Sequence, residues 1–170
     1  MAPLADTARD EREARATLTM IVSAGDETVG RLLGREGGVE TLRMLESNHA
    51  ILGVSVEESA TLQGTMHLVS SRLSFDDDLR KALDGSYAVL TPGDPHWPVS
   101  LNELGDRAPY ALWARGATSF LAEPTYARLT VAGSRAATDY GVSVTAELVT
   151  EAARREQVIG LFTNEGVSGV

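Results

Sequence analysis

The sequence predicts an α/β chain. A helical N-terminal subdomain over residues 1–84 should precede an incomplete parallel sheet with flanking helices over residues 85–170. Three observations lead there. Before Gly85 the apolar residues recur at helical spacing, in short runs punctuated by glycine. After Gly85 they form brief apolar runs closed by turn residues. From Leu129 to Phe162 the pattern reads strand, helix, strand over roughly thirty residues, the length of one βαβ unit.

The elements follow in order. Ala14, Leu18, Ile21 and Val22 lie on one face of a first helix, stopped at Ser23 to Gly25. Val29, Leu32 and Leu33 make a second short helix closed by Gly34. Val39, Leu42 and Leu45 make a third after Gly37-Gly38. Ser47 to Glu58 is ambiguous between strand and loop. Leu62, Met66, Val69 and Leu73 return to helical spacing. Ser74 can cap a further helix, with Asp76, Asp77 and Asp78 in its first turn, where the helix dipole favours anions. Asp84-Gly85 ends it. Tyr87 to Leu90, Tyr110 to Arg115, Leu129 to Ala132 and Val158 to Phe162 are the candidate strands. A helix with Val142, Ala146, Val149 and Ala153 on one face joins the last two.

Composition narrows the function. The chain has 170 residues, 43% hydrophobic and 23% charged, an ordinary globular balance. It contains no cysteine, which excludes a disulfide scaffold, Cys-ligated zinc and thiol catalysis. No apolar run is long enough to span a bilayer, and Met1 to Glu13 lacks the apolar core of a secretory signal. A soluble cytoplasmic protein without membrane contact is expected. The net charge of −9 opposes nucleic acid, so any such binding must use a local basic patch. Lys81 is the one lysine, so phosphate contacts would come from arginine. His49, His67 and His96 show no metal-ligand spacing, and the aspartates at 76–78 are explained by a helix first turn. No metal or other cofactor is expected.

The strongest local signal is Val131-Ala132-Gly133-Ser134-Arg135, followed by Thr138, Tyr140 and Gly141. A strand runs into a small-residue turn and then a helix, whose unpaired N–H groups favour an anion. Serine offers a hydroxyl and arginine two parallel bonds to a phosphate. An ordinary capped strand-to-helix turn has the same composition. Neither a GxGxxG nor a P-loop pattern is present, and no GxSxG elbow supports a hydrolase. Pro92-Gly93-Asp94-Pro95-His96-Trp97-Pro98 reads as a rigid linker anchored by Trp97.

Three segments together resemble the DprA/Smf family of DNA-processing proteins. They are Pro92-Gly93-Asp94 with Trp97-Pro98 and Leu101, then Ala108-Pro109-Tyr110-Ala111-Leu112-Trp113-Ala114-Arg115-Gly116, then Val131 to Arg135 with Tyr140-Gly141. Their order and spacing agree with that family over roughly residues 87 to 156. The resemblance implies a Rossmann-like fold that binds single-stranded DNA and assists loading of a RecA-type recombinase, without catalysis. It implies phosphate binding at Gly133, Ser134 and Arg135, a helix start at Tyr140 and Gly141, and a role for Arg115 near a strand end. Family members continue with a further strand and a Ser-Gly-x-Ala-x-Gly-Ile-Asp stretch, whereas this sequence reads Gln157 to Val170 and stops. The expectation is therefore a truncated domain, with weakened binding and a tendency to associate with a partner or as a homo-oligomer. The tail Asn164 to Gly169 looks like a short serine-recombinase motif, without the nucleophile that motif requires. Two alternatives are a phosphate-binding Rossmann enzyme of the lysine-decarboxylase-like group, whose Pro-Gly-Gly-x-Gly-Thr motif is missing, and a non-enzymatic protein-interaction remnant.

Overall fold

The computed structural model describes residues 3–72, 75–85, 87–132 and 138–162. It is a mixed α/β structure, mostly helical. Its helices are α1 (Leu4–Thr7), α2 (Glu11–Ile21), α3 (Glu27–Glu46), α4 (Val56–Ser70), α5 (Phe75–Leu83) and α6 (Asp139–Arg154). Its strands are β1 (Ala88–Leu90), β2 (Leu112–Ala114), β3 (Arg128–Ala132) and β4 (Val158–Phe162). The contacts divide the chain into two compact units, Met1–Thr118 and Ser119–Val170.

In the first unit, local chemistry sets the helix starts. The Asp10 carboxylate accepts from the Glu13 N–H, Asp26 from Val29 and Ser55 from Glu58. Each partners an N–H that the helix itself leaves open. Ala14, Leu18, Ile21 and Val22 are buried together, so the spacing that predicts α2 is also its packing face. The two helices expected between Val29 and Leu45 meet end to end as α3, bent at Gly37, which has φ +79°. Only glycine adopts that conformation without strain. The Glu11 carboxylate accepts from the Gly38 N–H at 2.6 Å, capping the second half of α3 from a neighbouring helix. The ambiguous stretch Ser47 to Glu58 is a loop running into the first turn of α4. In α5, Asp76 to Asp78 occupy the first turn and Arg80 and Lys81 the last, as the dipole favours. Leu73 and Ser74, the expected apolar position and cap, lie outside the described residues.

The two strand candidates nearest Gly85 do not extend a parallel sheet. They pair with each other antiparallel, Ala88 opposite Ala114 and Leu90 opposite Leu112. The chain between them makes a 3-10 segment, Val99–Arg107, rather than a crossover helix, and returns beside β1. Parallel pairing would need a crossover connection. These strands also belong to the same unit as the helices, so the expected junction near Gly85 lies inside that unit. The ties are specific. Tyr110 is buried among Leu18, Val29, Leu32 and Leu42, and its hydroxyl donates to the Ser23 carbonyl at 3.1 Å. That burial pushes its phenol pKa up. The Trp113 indole donates to Thr19 Oγ1 at 2.8 Å. Arg107 pairs with Glu27 at the start of α3.

In the second unit, β3 and β4 are parallel and in register, Arg128 opposite Val158 and Thr130 opposite Gly160, with α6 as the crossover. This is the βαβ unit the sequence predicts. Its helix is turned differently from expectation. The stripe at Val142, Ala146, Val149 and Ala153 is not the covered face: Val142 is 57% exposed and Ala152 is the buried residue. Among the described residues this unit has two strands, so α6 rests on a narrow sheet.

Candidate phosphate- and nucleic-acid-binding site

The best-defined part of the site is the first turn of α6. Thr138 precedes the helix in extended conformation, and its hydroxyl accepts from the Gly141 N–H at 3.2 Å. Its carbonyl receives the first helical bond, from Val142 at 3.0 Å. A Cβ on residue 141 would stand 3.4 Å from that hydroxyl, at the tight edge of ordinary contact. Asp139 lies in the same turn, where a carboxylate is stabilised by the dipole and competes with an incoming anion. Tyr140 projects outward and is 79% exposed.

The structure brings Tyr140 and Gly141 together in this turn. Arg115 is exposed just beyond β2, in the first unit, and is followed by Gly116 at φ +98°, where the chain leaves the strand. Gly133, Ser134 and Arg135, the core of the expected phosphate contact, lie outside the described residues. Among the described residues no cluster of three or more His, Asp or Glu could hold a metal. His96 bonds through Nδ1 to the Thr118 hydroxyl at 2.7 Å, an ordinary loop contact.

Sequence reasoning passes over one arrangement. Asp94, within the turn read as a linker, receives both Arg12 guanidinium nitrogens at 2.7 Å. It also accepts from the Thr91 N–H at 2.6 Å and the Thr91 hydroxyl at 3.0 Å. The Arg12 bond, helped by the Thr91 N–H, holds the Asp94 carboxyl below its usual pKa. Arg12 further donates to the Val89 carbonyl, so one side chain of α2 fixes both β1 and the turn that follows it. Trp97 is buried in that turn, as expected of an anchor, and its indole donates to Asn102 at 3.0 Å.

Residues 88–161 match the family model described as DNA recombination-mediator protein A. Over this span the chain is similar to the DprA family. All three motifs of the DprA resemblance, from Pro92 to Gly141, fall within the matched span. The span begins at β1 and ends inside β4, so it takes strands from both compact units. No curated protein and no solved structure matches the chain significantly. Among the described residues, no helix is long and apolar enough to cross a membrane.

Proposed function

We propose that this chain is a cytoplasmic DNA recombination mediator of the DprA type, which binds single-stranded DNA through its phosphates and assists a RecA-type recombinase. The match of residues 88–161 carries the reading. The phosphate-binding residues are Gly133, Ser134 and Arg135, with Tyr140 and Gly141 forming the helix start behind them and Arg115 as a further cation. The parallel pair β3–β4 joined by α6 supports a Rossmann-like assignment for the segment Arg128–Phe162. No catalytic step, metal or cofactor is part of this function. A second copy of the chain is a further expected partner.

Magnitudes set the expected strength. A helix N-terminus contributes roughly 0.3–1 kcal/mol to an exposed anion. A charge-assisted arginine bond adds roughly 1.5–3 kcal/mol. One such site gives weak binding, and useful affinity requires several phosphates at once. With a net charge of −9, binding should be sequence-independent and readily lost with salt. The test is titration of fluorescent oligo-dT at low and moderate salt with wild type and Arg135→Ala. Loss of most binding in the variant supports the reading. Equal binding removes Arg135 from the site, and no binding by the wild type removes the function.

A further inference from the structure

At the start of β3 the second unit carries a feature that phosphate binding leaves unexplained. Tyr126 is 83% exposed, and Phe120, six positions earlier, is 55% exposed. The segment bearing them is tied down. Arg128 donates to the Leu121 carbonyl at 3.3 Å and to the Thr125 hydroxyl at 3.4 Å. The Ala127 N–H donates to the Pro124 carbonyl at 2.9 Å, and Gln157 donates to the Tyr126 carbonyl at 3.2 Å. An aromatic ring on a fixed backbone and facing water is already organised for stacking, because little backbone freedom remains to be lost on binding. Arg154 and Arg155 lie in sequence just before Gln157 and share one carboxylate, that of Glu151, at 3.7 and 3.0 Å. Two guanidinium groups on one carboxylate leave net positive charge two and three residues before Gln157.

We propose that Tyr126 is a base-stacking contact for single-stranded nucleic acid, separate from the phosphate site at the start of α6. The inference rests on the single-strand reading above and adds a second point of attachment. In sequence the two points lie on either side of β3, whose five residues span about 16 Å. A strand reaching both would be held by phosphates at one end and by a base at the other. Every base has a π-face, so stacking adds affinity without sequence preference. The charges nearby in sequence are mixed, with Glu123 three residues before Tyr126 and Glu156 next to Arg155. The contribution of the ring should therefore depend little on salt, in contrast to that of Arg135.

The experiment uses the full chain with two probes of equal length, oligo-dT and an abasic phosphodiester strand, each at low and moderate salt. Tyr126→Ala should weaken oligo-dT binding about tenfold at both salts, within the range for loss of one stacked base. It should leave abasic-strand binding unchanged, and Tyr126→Phe should keep wild-type affinity for oligo-dT. Equal oligo-dT binding by wild type and Tyr126→Ala overturns the proposal and leaves the phosphate reading standing. An equal loss on both probes also overturns it, since a stacking group cannot act on a strand without bases. Failure of the wild type to bind either probe overturns both readings together.

Discussion

The two units of this chain solve the same problem unequally. In the first, Leu18, Leu32, Leu42, Leu45, Met66 and Tyr110 are fully enclosed, and named bonds tie α2 to α3, Tyr110 to Ser23 and Trp113 to Thr19. In the second, α6 buries Ala152 and leaves Val142, Leu148 and Tyr140 in water. Helices can close a core among themselves, because each presents a stripe. A parallel pair of strands cannot, because such sheets are stable when several strands are covered on both faces. The first unit should therefore hold most of the measurable stability, and the second should have surfaces free for ligand or partner.

Substitutions can break or sharpen that contrast. The largest effect is expected from Tyr110→Ala, which empties the centre of the first unit and removes the bond to the Ser23 carbonyl. Loss of a buried aromatic costs about 3–5 kcal/mol. Urea unfolding of the full chain should show that loss, and a cost below about 1 kcal/mol would place the core elsewhere. Gly30→Ala comes next. A Cβ there would stand 1.8 Å from the Asp106 carbonyl oxygen, so the 3-10 segment must move away from α3. Overpacking of this kind costs about 1–3 kcal/mol and should appear as a lowered Tm.

Arg12→Ala is smaller and depends on pH. The pair is partly exposed, so its contribution is about 1 kcal/mol after screening. The Asp94 pKa is lowered in the folded state, so this stabilisation is present above the unfolded value near 3.8 and is lost as pH falls through the folded one. The variant should therefore be less stable than wild type at neutral pH, with the gap closing below about pH 4. A gap that persists in acid would assign the effect to packing. The smallest effect is expected in the second unit. Val142→Ser, at a position facing water, should change stability by less than about 0.5 kcal/mol. A larger loss would show that this face is covered in solution, and sedimentation would then identify the covering copy or partner.

These contrasts follow what could be read from the residues. Helical spacing is a local signal, so α2, α4 and the first turn of α5 are legible in Leu18, Met66 and Asp76 to Asp78. The break at Gly37 is legible as well, though not that the two halves stay joined with Glu11 supplying the cap. Strand direction is not written in a three-residue apolar run, and β1 and β2 pair antiparallel because of where the chain between them packs. The Arg12–Asp94 pair links positions 82 apart and leaves no local trace. The turn of α6 from its expected face has a similar origin, since Val142 and Val149 mark an apolar stripe but not what covers it. At the candidate site, the helix start at Tyr140 and Gly141 is local and legible. The exposure of Tyr126 is not, because a tyrosine before a strand is equally compatible with a core position.

The contact between Gly30 and the Asp106 carbonyl bears on how such a chain can diverge. Position 30 belongs to the helical region and position 106 to the span that matches the family model, and no side chain fits between them. Drift away from glycine is closed unless the turn at 105–106 is rebuilt in the same lineage. A chimera that joins the helices of one relative to the strands of another would inherit the mismatch at this point. The two stretches should therefore be transmitted together through recombination between relatives, as one heritable block.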